Sequence, residues 1–392
     1  MQNRLNIQPL IILLLVAALV GMIVAYVTKC ADTDRAVASL DIIDGQHQAV
    51  NKQKHFEWKM ATSWPKGFPG LGTAPERFAK NVYVMSNGRL KIKVFGAGEL
   101  VPALGVFDAV SQGSVEMGHT SAYYWKGKSV ATPFFTTIPF GMTAQEMNAW
   151  LYYGGGIELW REVYAPFNLI PLAGGNTGVQ MAGWFNKEIK SIDDLQGLVM
   201  RIPGVAGEVF NRVGGTSVNI PGGDIYTSLK TGVIDATEWV GPYNDLSMGF
   251  QDAAKYYYYP GWHEPGPTLE MIVNKQAFAT LPPDLRAIVV TAARAANEDM
   301  LDEYTARNNA ALKELVEKHG VKLRRLPDDV LLKLKQVSEE VIKEMVANDP
   351  LAKKVYESYS SFEAGVKDYH HISEQAYINA RDLGDEPLPE NK

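Results

Sequence analysis

From Phe56 onward the apolar residues of this chain recur in two rhythms. Phe56, Trp58 and Met60 alternate with Glu57 and Lys59, a period of two that predicts a strand, and the pattern breaks at Ser63-Trp64-Pro65. Pro75 in a first turn, Phe78, Val82 and Met85 at helical spacing, and Gly88 after Asn87 predict a helix with a start, one buried face and a stop. Leu90, Ile92 and Val94 then alternate with Lys91 and Lys93, a second helix is predicted over 101–112, and a third strand follows at 115–119. Such a β-α-β-α-β succession predicts a parallel sheet covered on both faces, with ligands at the carboxyl ends of its strands. His119-Thr120-Ser121-Ala122-Tyr123-Tyr124-Trp125 lies at one of those ends.

A second α/β set is predicted from about 173 to 239. It has strand patterns over 179–185, 198–202 and 217–220, a helix over 207–213, and a helix ending at Leu229-Lys230-Thr231-Gly232. The expected fold class is therefore α/β with two lobes, about 56–150 and about 173–239, each completed by later segments. The last third changes rhythm: helical patterns cover 283–319, 327–347 and 350–382, each opened by proline with aspartate beside it. These helices read as cladding or as an oligomer surface, a homodimer being one outcome.

Composition adds bounds rather than shape. The 392 residues, 46% of them hydrophobic, suffice for a large core split between two lobes. The net charge is −6, and −8 without residues 1–30, which hold Arg4 and Lys29 and no acid. No basic stripe is available to neutralise phosphates, so nucleic acid is excluded as a partner, and an anionic ligand would need a local site. Within 1–30, Arg4 precedes an apolar run over 10–27 that has no ionisable side chain apart from Tyr26. It reads as a signal peptide or, by preference, an uncleaved signal anchor that tethers the chain to the membrane through 8–27. The stretch 31–55 is a polar linker. Cys30 is the only cysteine, so there is no intrachain disulfide, and Thr28-Lys29 before it lacks the small residues of a lipidation site.

The candidate chemistry centres on Arg201, set in the apolar run Leu198-Val199-Met200-Arg201-Ile202, and on Glu238, which ends the run Ile234-Asp235-Ala236-Thr237-Glu238-Trp239. A guanidinium in a strand that wants burial is costly unless something negative meets it, and its planar fork matches a carboxylate. Two readings stay open on the residues alone: the two side chains pair with each other, or both face one anionic guest. Other motifs fail on context. Ser63-Trp64-Pro65-Lys66 and Lys230-Thr231-Gly232 match two signatures of serine acyl enzymes, yet the prolines make the first extended and the second ends a helix. Gly154-Gly155-Gly156 follows a helix and is a poor phosphate cradle. His119 and His263 lack metal-ligand spacing and read as loop histidines. Nothing fixes a separation for Glu238 and Glu264 as a glycosidic carboxylate pair.

Three runs together carry a resemblance. Gly105-Val106-Phe107-Asp108-Ala109-Val110-Ser111-Gln112-Gly113, Leu195-Gln196-Gly197-Leu198-Val199-Met200-Arg201-Ile202-Pro203 and Leu229-Lys230-Thr231-Gly232-Val233-Ile234-Asp235-Ala236-Thr237-Glu238-Trp239 resemble the extracytoplasmic solute receptors of tripartite ATP-independent periplasmic (TRAP) transporters, over residues 56–380. The resemblance implies a two-lobed periplasmic-binding-protein fold with mixed sheets and hinge-linked lobes over 56–385, no enzymatic turnover, and a periplasmic or extracytoplasmic location. Tyr123-Tyr124-Trp125-Lys126-Gly127-Lys128, Gly175-Asn176-Thr177-Gly178-Val179-Gln180, Glu238-Trp239-Val240-Gly241-Pro242-Tyr243 and Tyr259-Pro260-Gly261-Trp262-His263-Glu264 look like the branch that binds a 2-oxo or 2-hydroxy monocarboxylate, pyruvate-like or lactate-like, with a cation.

By that resemblance Arg201 grips the substrate carboxylate. Tyr123, Tyr124 and Asn176 donate to its oxygens, and Trp239 and Trp262 form an apolar wall. Glu238 would repel the same anion, and a bridging Na⁺ or Ca²⁺ removes the conflict; its oxygen ligands would be Glu238, Gln180, the main-chain carbonyl of Trp239, Glu264 and the substrate. Arg201 and Glu238 then face one guest from two sides instead of closing an ion pair. The implied partners are the TRAP membrane subunits. The alternative is a metal-dependent hydrolase or lyase acting on a small carboxylate, with Glu238 as base. The long apolar N-terminus departs from the family habit of release into the periplasm.

Overall fold

The alternating segments become strands β1 (Phe56–Thr62), β2 (Leu90–Phe95), β3 (Met117–Thr120) and β4 (Leu169–Asn176). In β1 the side chains of Trp58 and Met60 are buried while Glu57 and Lys59 face solvent, so the period-two pattern is a one-sided burial pattern. Further along come β5 (Gly183–Phe185), β6 (Val199–Arg201), β7 (Thr216–Val218), β8 (Ala236–Thr237), β9 (Tyr256–Tyr259), β10 (Thr268–Asn274) and β11 (Lys322–Arg325). This is a computed structural model, and it describes residues 54–384.

Two mixed sheets result. The first has the order β2-β1-β3-β10-β4, in which β1 runs parallel to β2 and β3 and β10 is antiparallel to both of its neighbours. The second has the order β11-β9-β5-β8-β6-β7, in which β5 is antiparallel to β8 and β9. The chain serves the sheets by turns: β1 to β4 build the first, β5 to β9 the second, β10 returns to the first and β11 to the second. Lobes are therefore interleaved, and residues 177–182 and 260–267 are crossing segments. The third crossing is the helix Pro283–Glu317, whose 35 residues span about 52 Å at 1.5 Å each. Its first half buries Leu285, Val289 and Ala292 with Trp58 and Phe78 of the first sheet's side. Its second half buries Met300, Tyr304 and Leu315 with Trp184 and Tyr257 of the second.

Several expectations need correction. Residues 173–176 belong to β4 in the first sheet, not to the second α/β set, so the second lobe is entered only at Gly183. The strand expected over 179–185 shrinks to Gly183–Phe185, because the main chain before it pairs with loops: Gln180 N donates to Glu264 O and Met181 N to Val240 O. The helix expected over 101–112 is a 3-10 turn at Ala103–Gly105 followed by a helix over Val106–Ser111. The pattern over 350–382 breaks at Ser373 (φ −108, ψ −100) into helices Pro350–Ile372 and Glu374–Arg381. Gly232 adopts φ 76 just past the helix Gly222–Lys230, so Lys230-Thr231-Gly232 is a helix end as expected.

The segment 1–30, the tether 8–27 and all but the last two residues of the linker 31–55 lie outside the described residues. Among the described residues, no helix is long and apolar enough to cross a membrane.

Candidate functional site

The site gathers at strand ends and crossing segments. Arg201 closes β6, and Glu238 and Trp239 follow β8 directly. Tyr123 and Tyr124 sit in the 3-10 turn Ala122–Trp125 just past β3. Gln180 lies on the crossing after β4, and Trp262, His263 and Glu264 lie on the crossing between β9 and β10. Side chains from both sheets meet here, since Arg201 Nη2 of the second donates to Tyr124 Oη of the first at 3.4 Å.

Arg201 is 1% exposed. Its Nη1 donates directly to Glu238 Oε1 and, at 3.3 Å, to the Glu238 main-chain oxygen, while Nε donates to Ile220 O at 3.3 Å. The guanidinium carbon stands 5.0 Å from the Trp239 ring centre, a stacked cation. Burial opposes the charge, but Glu238, Tyr124, Tyr123 and Glu264 more than offset it and hold the guanidinium above its ordinary pKa. The expectation that Arg201 and Glu238 face one guest instead of closing an ion pair is corrected: one carboxylate oxygen is bound by the arginine itself, because a buried guanidinium next to a buried carboxylate is stable only in contact.

The other oxygen is different. Glu238 Oε2 has no hydrogen-bond partner among the described residues and lies 3.5 Å from His263 Nε2. Glu264 Oε2, Gln180 Oε1, the Trp239 indole nitrogen and both His263 ring nitrogens are likewise buried without a partner among the described residues. Glu238, His263 and Glu264 offer ligand atoms within 4.8 Å of one another. Buried polar atoms left unpaired cost about 1–3 kcal/mol each, so the Glu238, His263 and Glu264 atoms together make a candidate cation position. Burial first, and then the Glu238 charge, push the Glu264 carboxyl well above the usual range, against Arg201 and a hydrogen bond from Tyr123. Burial also raises the Tyr123 and Tyr124 hydroxyls, which stay protonated donors.

The remaining expected residues divide. Gln180 sets its Nε2 on Thr177 Oγ1 at 3.1 Å and leaves its Oε1 without a hydrogen-bond partner among the described residues. Trp262 is buried against Phe140, ring centres 5.8 Å apart, and forms wall. Asn176 differs: its amide nitrogen donates to Gly266 O at 3.1 Å and Thr268 Oγ1 at 3.3 Å, and its oxygen accepts from Gly178 N, so it pins the two crossings together. His119, expected in a loop, is a satisfied core histidine of β3. It accepts from Trp64 Nε1 at 2.8 Å, has Nε2 3.1 Å from Gly174 O, and burial lowers its pKa to about 4.

Three residues were missed. His263, read as a loop histidine, belongs to the cluster, and the signal that it sits between Trp262 and Glu264 was available. Trp64 and Phe68 bring their rings to 6.2 and 6.4 Å from Trp239; the break of β1 at Ser63-Trp64-Pro65 was the hint, since ligands gather where such strands end. A cavity of about 670 Å³ beside the helices Asp328–Ala347 and Pro350–Ile372 is lined by Lys335, Glu339, Lys343 and Glu363 but by none of these residues. Chemistry, not open volume, marks the site.

The crossings touch at Gly261, where an added Cβ would come 2.1 Å from the Gln180 carbonyl oxygen. Gly261→Ala is expected to force Gln180 and Glu264 apart, cost about 1–3 kcal/mol in a thermal or urea melt, and weaken ligand binding further than that loss explains. Unchanged melting and binding would refute this contact.

Comparison with known proteins supplies the family. Residues 60–349 match the DctP family, described as bacterial extracellular solute-binding protein, family 7. A monocarboxylate 2-oxoacid-binding periplasmic protein of Nostoc sp. is 47% identical over 322 residues, 82% of this chain and 88% of that one. A TRAP periplasmic solute-binding protein of Pseudoalteromonas atlantica, solved with bound sodium and pyruvate, superposes with a TM-score of 0.81 at 45% identity, covering 83% of this chain and 99% of its own. One of Colwellia psychrerythraea, solved with calcium and pyruvate, gives 0.81 at 44% identity over 83% and 100%. The two-lobed fold with mixed sheets and a helical C-terminal region is that of these receptors. With its crossing segments, strand-end arginine and buried carboxylates in place, this chain belongs to the DctP family of TRAP-transporter solute-binding proteins, which are receptors and not enzymes.

Proposed function

We propose that this receptor binds a small 2-oxo or 2-hydroxy monocarboxylate, pyruvate-like or lactate-like, together with Na⁺ or Ca²⁺, and delivers it to TRAP membrane subunits. The observation that carries the reading is the pairing of a buried arginine fork with buried carboxylate and amide oxygens that lack partners among the described residues. Arg201 grips the guest carboxylate, aided by the Tyr123 and Tyr124 hydroxyls. Glu238 Oε2, Gln180 Oε1, Glu264 and the Trp239 carbonyl ligate the cation, an all-oxygen set that suits hard ions. Trp239 and Trp262 enclose the alkyl end, and Asn176 positions the crossings. If Glu264 stays neutral, Na⁺ balances the charges of Glu238, Arg201 and the guest; if it ionises, Ca²⁺ does. The solved relatives from Pseudoalteromonas atlantica and Colwellia psychrerythraea carry sodium and calcium respectively, each with pyruvate.

Titration with pyruvate, other 2-oxo acids, lactate and dicarboxylates, followed by the fluorescence of Trp64 and Trp239, tests this. Saturable binding of monocarboxylates that needs Na⁺ or Ca²⁺ is expected. Binding indifferent to chelation and sodium removal, or consumption of the acid, would sink it. The hydrolase or lyase alternative finds no support, since the matched relatives are binding proteins. The reading includes a tether through 8–27 and a homodimer over the exposed Tyr369, Ile372, Tyr377 and Ile378 of the last helices. Membrane fractionation and sedimentation, respectively, would each show a soluble or monomeric protein if these are wrong.

A further inference from the structure

We infer that His263 faces the cation position and makes the site a receiver of divalent first-row transition ions, with nitrogen ligation, in addition to hard cations. This rests on the reading of Glu238 and Glu264 as cation ligands. The first observation is the histidine's own isolation. Its side chain is 0% exposed, and neither ring nitrogen has a hydrogen-bond partner among the described residues. A neutral imidazole carries one donor and one acceptor, and an interior that leaves both idle is unfavourable. The same fold does better with its other fully buried histidine, for His119 has Trp64 Nε1 on one nitrogen and Gly174 O at the other. His263 is thus left over by a chain that satisfies histidines elsewhere.

The second observation is where those nitrogens lie. His263 Nε2 is 3.5 Å from Glu238 Oε2, and ligand atoms of Glu238, His263 and Glu264 fall within 4.8 Å of one another. Atoms about 2.0–2.2 Å from a shared ion are separated by roughly 3–4.4 Å, so the 3.5 Å pair of His263 and Glu238 fits one coordination shell, and the three groups together need to draw in by a few tenths of an ångström at most. The ring is also held in place. Phe140 N donates to Trp262 O at 2.7 Å, Glu264 N to Gly261 O at 3.1 Å, and the Trp262 ring centre is 5.5 Å from that of His263. An O,N,O set is not what Na⁺ or Ca²⁺ prefers; imidazole nitrogen favours the later divalent ions, whose affinities climb through Co²⁺ and Ni²⁺. A 2-oxo acid would complete such a shell through its carboxylate and oxo oxygens.

Co²⁺ alone, added to chelator-treated protein, is the probe. Expected are visible absorption bands and a hyperfine-shifted, exchangeable imidazole N–H proton resonance, both altered by pyruvate. His263→Gln is expected to lose that resonance and weaken Co²⁺ by about 10–100-fold or more, a larger loss than the one it causes in Ca²⁺-supported pyruvate binding. Wild-type protein whose Co²⁺ spectrum lacks the resonance, or a variant that holds Co²⁺ as tightly as wild type, overturns the inference. Should the variant not fold, competition in wild type decides: Zn²⁺ displacing Ca²⁺ at lower concentration supports the nitrogen ligand, and the reverse order refutes it. Co²⁺ bound through imidazole by a protein that takes up pyruvate with no cation supports His263 and overturns the proposed cation requirement instead.

Discussion

Arg201→Ala is expected to weaken monocarboxylate binding severely and to destabilise the protein by about 3–5 kcal/mol, two effects with one origin. The substitution leaves Glu238, which is 0% exposed, as an uncompensated charge inside the protein, and breaking a buried pair from one side carries that penalty. Binding falls as well, because the guest loses its only forked donor; truncating one side of a buried charge pair costs about 2–5 kcal/mol, or roughly 30- to several-thousand-fold in affinity. Two controls separate the effects. Arg201→Lys keeps a cation near Glu238 but not the planar fork or the stacking on Trp239, so stability recovers in part while binding stays weak. Arg201→Met with Glu238→Gln removes both charges, so stability recovers further and binding does not. Urea denaturation and ligand titration of the three variants give the comparison. A stable Arg201→Ala protein with undiminished affinity would show that the arginine serves neither the fold nor the guest.

The protein is expected to gain stability as pH falls from 8 toward 5, and Asp245→Asn with Glu270→Gln is expected to remove most of that gain. Both carboxyls are buried, and burial is the main cause that raises each to about 7, against hydrogen bonds from Tyr257 and Trp184 to Asp245 and from Tyr164 and Trp125 to Glu270. A carboxyl whose folded pKa lies above its unfolded value binds its proton more tightly in the folded state. The contribution is fully present below the unfolded value near 4 and is lost as pH rises to about 7. Each shift of two to three units corresponds to about 3–4 kcal/mol. Glu363, also raised to about 7 but only partly buried, adds a smaller contribution in the same window. Asn and Gln imitate the protonated carboxyl in size and in having one donor end, so the double variant resembles wild type at pH 5 and exceeds it at pH 8. Melts across pH 5–8 decide: parallel curves for wild type and variant would mean that the two carboxyls are not held protonated by burial.

Glu270 also explains why the site was only partly readable in advance. It lies in the middle of β10, 0% exposed, and its partners Trp125 and Tyr164 come from 145 and 106 residues away. Nothing local in Thr268–Asn274 distinguishes such a glutamate from a surface one. His263 was misplaced for a related reason: metal-ligand spacing is a local signal, whereas its neighbour Glu238 sits on another segment, after β8. The ion pair of Arg201 with Glu238 and the cation role of Glu238 were treated as competing readings, yet a carboxylate has two oxygens and the fold assigns them differently.

Local rhythm in the amino-acid sequence was enough for most of the elements. Period-two and helical rhythms, the proline starts and the glycine stop at Gly232 act within a few residues, so they were legible, and a buried arginine followed by an apolar run ending in glutamate marked buried charges that need a partner, either each other or an anionic guest. Only the tertiary structure decided that Leu169–Asn176 joins the first sheet, that 177–182 and 260–267 cross between lobes, and that these crossings carry Gln180, His263 and Glu264 to the ends of β6 and β8. Those outcomes depend on the pairing of β4 with β10 and of β5 with β9, whose partners lie some seventy to a hundred residues apart. Side-chain periodicity tells a strand which face to bury, but not which distant strand will lie beside it.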